Sequence, residues 1–398
     1  MTDFIKYNCV FGGGGIRGLA YVGAVQAFEE CGTELNSLAG SSVGAVFAML
    51  YAIGYNASEI KKFFMDFNFN IFKDINVKIF EADISLSKGE IFLDWLREKA
   101  EKKFYGKSYS KGNNKAVCFK DLKRDLYILT LDINTNTPYI FSKENTPDEE
   151  VALAVRISAG MPGLMKPVKK NENILIDGDL IKTRPAFKIY NNMNNRDARL
   201  LELRLEGTRN GGNLKSPFDY LNSVISTIWY LSTEEIYNMY HKNDRYDYII
   251  IDTKDVIMFD FEIGKEKREE LIEKGYKTTK YYLTNTLIEK KKYILEVYKS
   301  ITAGLNTAKI CLGNSSQDAL ITLLRVLSFL SHDKEYIDIS IYNELIKLQN
   351  LIMTNFKNNI LPENIVNTKQ IKCQINIINK LIQNRIEDLK HYINNNFL

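Results

Sequence analysis

The sequence predicts an α/β domain, a sheet flanked by helices, followed by a small C-terminal helical bundle. Three observations carry this. Short β-like runs alternate with helical patterns through the first three quarters of the chain. A glycine cluster, Gly12 to Gly15, separates the first such run from the first helical one. From about Ile301 to Asn314 the strand signals stop and only helical periodicity continues.

Tyr7–Phe11 is expected as a strand running into the glycines. Leu19–Glu30 follows as a helix with Val22, Val25 and Phe28 on one side and Gly32 as its stop. Ser37–Ala39 is a short apolar strand. Val43–Ile53 is apolar nearly all round, which marks a buried helix, and Gly54 ends it. Ile91–Phe104 is amphipathic. Strands are expected at Leu126–Ile133, Pro138–Phe141, Ile174–Ile176, Leu200–Leu205 and Tyr248–Ile251, and helices at Asp148–Ser158, Tyr220–Tyr240 and Lys265–Leu283. In the tail, Ser315 and Asp318 form a capping-box-like start before Leu320, Leu323, Leu327 and Leu330. Two further apolar series follow, Ile341 to Phe356 and Ile371 to Ile393. Three amphipathic helices without glycine-rich loops read as a bundle. The expected domains are 1–300 and 301–398.

Composition bounds the rest. The chain has 398 residues, 45% hydrophobic and 26% charged, which excludes collagen-like, wholly disordered and coiled-coil proteins. A formal net charge of +4 does not demand a nucleic-acid partner, and none is expected. Five cysteines, none in a C-x-x-C pair, argue against a disulfide framework or a zinc site, so neither metal nor cofactor is expected. Met1 to Asn8 shows no secretory leader, and the apolar run Val43–Ile53 is far shorter than the ~20 residues of a membrane span. The protein is expected in the cytoplasm or peripheral to a membrane. Delivery into another cell by a dedicated secretion system is not ruled out by this.

Four short segments carry chemistry. Gly12 to Gly18 lies between a strand and a helix, where glycines turn the backbone sharply and leave N–H groups free beside a helix N-terminus. Such a loop holds an anion: a pyrophosphate, or the oxyanion of acyl transfer. A tight turn with no ligand is the plain alternative. Gly40-Ser41-Ser42-Val43-Gly44 is G-x-S-x-G between a strand and a buried helix, the setting of a nucleophile elbow, with Ser42 as nucleophile and the Val43 N–H aimed at the same oxyanion. Its plain alternative is a helix start made of small residues. A serine nucleophile needs a base. His241, His332 and His391 are the only histidines and fall at surface or tail positions. Asp177 ends an apolar strand and precedes Gly178 and Asp179. A partly buried aspartate holds a proton more tightly and can accept one from Ser42 directly, although Asp-Gly after a strand is by itself an ordinary turn. The fourth segment runs from Arg156 to Val168 and sets small and apolar residues beside Lys166, Lys169 and Lys170. It reads as an apolar substrate wall with basic residues facing a lipid headgroup, or as a solvated lysine cluster on a loop.

In order and spacing these segments resemble the patatin-like phospholipase family, which shows G-G-G-x-[RK]-G, then G-x-S-x-G, then S-A-x-x-P-G, then D-G-[GA]. The matching residues are Gly13 to Gly18, Gly40 to Gly44, Ser158 to Gly163 and Asp177-Gly178. The resemblance covers about Tyr7 to Leu283. Phe259-Asp260-Phe261 and Glu273-Lys274-Gly275-Tyr276 look like the family's bacterial members. It implies a three-layer patatin-like sheet, Ser42 as nucleophile, Asp177 as base, and an oxyanion hole from Gly13, Gly14, Gly15, Arg17 and Gly18. The elbow is Gly40, Val43 and Gly44. The implied activity is calcium-independent hydrolysis of acyl esters in phospholipid or another acyl lipid, with peripheral membrane contact. Asp179 departs from the family's small third residue. It either raises the proton affinity of Asp177 by like-charge repulsion or points to solvent. Two rival readings accompany this one: an interaction protein acting through residues 301–398, by regulator binding or self-association, and a nucleotide-binding oxidoreductase using Gly13 to Gly18. The second expects an acid closing the next strand, about 20 positions on, and that strand leads into Ser42 instead.

Overall fold

The computed structural model describes residues 6–68, 87–180, 199–207, 220, 223–224, 227, 246–260, 262–333, 336–357 and 368–395. Most of the helix expected over Tyr220–Tyr240, together with His241 and Phe261, lies outside them. The chain divides into two compact units, one reaching Tyr282 and one running from Leu283 to the end.

The first unit is a mixed α/β sheet core with flanking helices. Its eight strands are β1 (Lys6–Phe11), β2 (Glu34–Gly40), β3 (Asp125–Asp132), β4 (Thr137–Ser142), β5 (Val168–Lys170), β6 (Asn173–Asp177), β7 (Arg199–Glu206) and β8 (Tyr246–Asp252). Their order is β5-β6-β3-β2-β1-β7-β8, with β4 also on β3. β2, β3 and β7 run parallel to their neighbours around β1, whereas β4, β5 and β6 pair antiparallel. Parallel strands are covered on both faces and so are apolar almost throughout. Accordingly β1 is buried from Tyr7 to Phe11 and β7 from Leu200 to Leu205. Helices α1 (Ala20–Glu30), α2 (Val43–Ile53), α3 (Ala57–Met65), α4 (Glu90–Tyr105), α5 (Val151–Ser158) and α6 (Lys265–Tyr281) complete the unit among the described residues. A run of rings ties β1 to α3: Phe11–Tyr21 at 5.3 Å, Tyr21–Phe47 at 5.6 Å and Phe47–Phe64 at 5.0 Å.

Two elements of the first unit were not anticipated. Helix α3 starts at a capping box in which Asn56 accepts from Glu59 N and Glu59 accepts from Asn56 N; Asn56 and Glu59 were its signal in the sequence. Strand β5 pairs with β6 across Asn171, which has a positive φ of 53°. A three-residue strand is too short for an alternation pattern to show. It also settles part of the lysine cluster, since Lys170 is ion-paired with Glu149.

Helices α1 and α6 cross at two glycines. A Cβ on Gly23 would lie 1.9 Å from Ile272 O, and one on Gly275 would lie 1.8 Å from Ala20 O. Both obstacles are backbone, so no side chain can yield. Gly275→Ala is expected to cost about 1–3 kcal/mol by overpacking. Calorimetry should show Tm lower by roughly 2–10 °C, and an unchanged Tm would mean the helices separate without cost.

The second unit begins at Leu283 rather than near 301. The reason is helix α7 (Leu287–Cys311): Ile294, Tyr298, Ile301 and Leu305 are fully buried in the bundle core. The three expected tail helices follow as α8 (Ser316–His332), α9 (Ile339–Lys357) and α10 (Thr368–Asn395), so that with α7 the unit has four helices among the described residues. The expected cap is present, with Ser315 Oγ accepting from Asp318 N at 3.3 Å. No helix among the described residues is long and apolar enough to cross a membrane.

Candidate active site

The four segments converge where strands end, the place where open α/β sheets bind ligands. Strand β1 runs into the glycine loop, β2 into Ser42, and β6 ends on Asp177, paired with Thr130 of β3.

Ser42 precedes α2 with φ 53° and ψ −130°, outside the ordinary regions for a residue with a Cβ. Such strain persists only where the surroundings over-determine it. Here Ser42 N donates to Ser158 Oγ at 3.1 Å, and Ser158 Oγ donates to Leu129 O at 2.5 Å. Ser41 N donates to Phe11 O. The glycines of the motif permit the close approach. A Cβ on Gly44 would lie 2.1 Å from Phe11 O, and one on Gly40 would lie 2.4 Å from Gly44 O. Val43 packs against Gly18. Ser158 stood inside the expected motif, but its hold on Ser42 N became visible only in three dimensions.

The glycine loop is clamped from outside. Gly12 N donates to Leu203 O at 3.0 Å, and Tyr21 Oη donates to Gly12 O at 2.9 Å. Ile16 N donates to Met258 O at 2.9 Å. Gly15 has φ +60°, and a Cβ there would lie 2.3 Å from Met258 O. Among the described residues the N–H groups of Gly13, Gly14 and Gly15 meet no backbone acceptor. Arg17 behaves differently from the glycines around it. Its side chain is buried and donates Nε to Val256 O at 2.7 Å, so it tethers the 256–258 segment. Burial lowers its pKa to about 10, which leaves it charged near neutrality.

Asp177 is fully buried. Its N–H donates to Gly160 O at 3.1 Å, and its Oδ1 accepts from Asp179 N at 2.8 Å. Oδ2 is buried without a hydrogen-bond partner. Burial, then the charge of Asp179, raises the pKa to about 7, against the Asp179 N–H and the nearby Ser42 hydroxyl, which favour the carboxylate. Gly178 is required by sterics, since a Cβ there would lie 2.1 Å from Leu129 O. Asp179 does not point to solvent. It is buried, accepts from Ser41 Oγ at 2.6 Å and pairs with Arg204. No histidine occurs among the described residues of this unit.

A pocket opens beside Ser42. Gly15, Ile16 and Val43 form one end; Phe64, Phe67, Phe92 and Trp95 form an aromatic wall; Ala159, Met161, Leu164, Met165, Met258 and Phe259 complete it. The Arg156–Val168 segment therefore does supply an apolar wall. The aromatic side, from α3, the turn after it and α4, had no local signature, because apolar residues at helical spacing look alike whether they face a core or a cavity. Among the described residues no group of three or more His, Cys, Asp or Glu is placed to hold a metal ion.

Residues 9–190 match the model of the family described as patatin-like phospholipase. Over these residues the chain is similar to patatin-like phospholipases. An uncharacterized protein, YqhO of Bacillus subtilis, is 24% identical over 69% of this chain and 97% of its own length. A probable lipid hydrolase, 463L of Invertebrate iridescent virus 6, is 26% identical over 46% of this chain and 64% of its own. Among solved structures, VipD from Legionella pneumophila shares the fold, with a TM-score of 0.51 at 14% identity over 98% of this chain and 90% of that one. The matched region contains all four segments on which the site is built, while Arg204, Glu202, Met258 and Phe259 come from beyond it.

Proposed function

We propose that this protein is a lipid acyl hydrolase of the phospholipase A or lysophospholipase type, working through Ser42 and Asp177 without calcium. The observation that carries the reading is a strained serine at one end of an apolar pocket, beside a buried carboxylate oxygen with no hydrogen-bond partner. The similarity to patatin-like phospholipases and to a probable lipid hydrolase supports it.

In the proposed reaction Ser42 Oγ attacks the ester carbonyl carbon while Asp177 Oδ2 takes the hydroxyl proton. A base with a pKa of about 7 is half ionised near neutrality and matched to that transfer. The tetrahedral oxyanion lies against N–H groups of Gly13 to Gly15 and of Val43, the first residue of α2, whose N–H has no partner inside the helix. The carbon–oxygen bond to the alcohol breaks, and protonated Asp177 returns the proton to the leaving oxygen. Water then attacks the acyl-enzyme, giving its proton to Asp177, and the released Ser42 oxygen recovers that proton. The acyl chain occupies the pocket, whose methionines adapt to a flexible tail. Ile91 and Ile257 are exposed and adjoin the pocket residues Phe92 and Met258. They are the side chains we assign to peripheral contact with a lipid surface.

The test is fatty-acid release from phospholipid vesicles with calcium chelated, beside Ser42→Ala. Release by the native chain and none by the variant is expected, together with Ser42-dependent labelling by a fluorophosphonate. Equal release by both proteins would remove Ser42 from the reaction. Folded native protein that neither releases fatty acid nor is labelled would overturn the hydrolase reading.

A further inference from the structure

Asp179 stands where the resembling pattern has glycine or alanine, and the fold makes a place for it. Its side chain is 4% exposed. Oδ1 accepts from Ser41 Oγ at 2.6 Å and from Arg204 Nη1 at 3.1 Å. Arg204 Nε donates to Glu202 Oε1 at 2.5 Å, and Glu202 has no exposed surface. Two carboxylates and one guanidinium are thus enclosed together. The glycine loop lies directly on them: a Cβ on Gly13 would lie 2.5 Å from Asp179 Oδ2, and one on Gly12 would lie 2.7 Å from Arg204 Cδ. Asp179 therefore touches the loop, the residue before Ser42 and, through its own N–H, the Asp177 carboxylate.

We propose that Asp179 is a positioning residue that acts on the reaction through its negative charge, with Arg204 as the counter-charge that allows this charge to be buried. The proposal rests on Asp177 being the base. An isolated buried carboxylate here would protonate or unfold its surroundings, so its ionised form requires a paired cation. Ionised, it opposes a second negative charge on Asp177 and adds to burial, the larger cause, in raising the proton affinity of that base. The other ionisable groups around the cluster are Glu202 on β7, Tyr21 on α1, Tyr248 on β8 and Cys9 on β1. Burial raises the pKa of Tyr21 and Cys9, so neither changes charge near neutrality. Glu202 and Asp179 share the single guanidinium of Arg204, so the three groups together keep one negative charge. After burial, the charge of Asp179 is the next cause that raises the proton affinity of Asp177.

The experiment is the pH profile of kcat/KM on a soluble aryl ester for the full chain, its Asp179→Asn variant and its Ser41→Ala variant. Asn keeps the size of the side chain and removes the charge. Ala at position 41 removes a hydrogen bond and keeps the charge. The acid limb of Asp179→Asn should move toward lower pH by about one unit. The plateau should fall a few-fold because a weaker base remains, with KM within about two-fold if the ester's ground-state contacts are untouched. Ser41→Ala should lower kcat and leave the limb in place. A limb that stays put in folded Asp179→Asn, or moves equally in both variants, would overturn the proposal and reduce Asp179 to packing. A readout independent of turnover separates this from failure of the hydrolase reading. It is the Tm difference between each protein and its Asp177→Asn counterpart from pH 4 to 9. In the native background that difference should grow up to about pH 7. With Asp179→Asn it should be smaller and complete at lower pH, and identical curves in the two backgrounds would also overturn the proposal.

Discussion

Asp177→Asn should lower turnover by roughly 10⁴-fold or more while raising the melting temperature at pH 8. The first effect follows from the role proposed for Asp177: an amide cannot take the Ser42 proton, and no histidine among the described residues of the unit is available to replace it. Ser42→Ala should cost a similar factor, and the double variant little more than either, because the two act as one unit. The second effect follows from burial. The folded pKa of Asp177, about 7, lies above the ordinary carboxylate value. Below about pH 4 the group is protonated in both folded and unfolded chains and costs nothing. Between about pH 4 and 7 the unfolded chain releases the proton and the folded one holds it, so stability falls as pH rises. Above pH 7 the full penalty applies, with a ceiling of about 4 kcal/mol. The gap in Tm between variant and native protein should therefore be absent near pH 4, open toward pH 7 and stay level beyond. Full activity in Asp177→Asn would exclude Asp177 as the base, and a gap independent of pH would contradict its burial as a charged group.

Gly44→Ala is the second large effect. The added methyl would sit 2.1 Å from Phe11 O and 2.5 Å from Gly12 O. Both are backbone atoms at the junction of β1 with the glycine loop, so α2 must move away from β1. That shift separates Ser42 from the loop meant to receive the oxyanion. A displacement of about 1 Å at a reacting group can cost about 10²-fold, and overpacking adds about 1–3 kcal/mol of instability. The expected result is kcat on a soluble ester lower by about two orders of magnitude, with fluorophosphonate labelling slowed in parallel. Gly54→Ala provides the contrast. Gly54 also sits at an end of α2, with φ +109°, but its Cβ would find only Lys103 Cε at 3.9 Å. It should lower Tm and leave kcat unchanged. Equal loss of rate in both variants would mean that stability of α2, rather than position of Ser42, limits the reaction.

The comparison of these two glycines shows how far the sequence reaches. Gly54 is interpretable by local rules, because a glycine ending an apolar run is a helix stop whatever surrounds it. Gly44 was readable as part of a motif, yet the reason it must be glycine is an approach to Phe11, which is distant in sequence. The same division runs through the site. Ser42, Asp177 and the Gly12–Gly18 loop sit at junctions where an apolar strand meets small residues, and such junctions leave a mark on a short stretch of chain. Arg204 and Glu202 left a weaker mark, two charges two apart within the buried run Leu200–Leu205. Spacing of two puts them on one face of β7 and signals a buried pair, but gives no partner. Arg17 was grouped with its glycine neighbours by motif, and the hold of its side chain on Val256 became visible only in three dimensions.

The sequence by itself determined the α/β character of the first unit, the helical character of the last, the strand-to-turn junctions and the residues proposed here for acyl-transfer chemistry. These are encoded by periodicity and by residues with special backbone freedom, which act over a few positions. The tertiary structure alone decided where the bundle begins, which apolar side chains face a pocket rather than a core, and whether Asp179 meets solvent or an arginine. It also decided the proton affinity of Asp177, since desolvation and the charge of a neighbour depend on what the whole fold packs around the group.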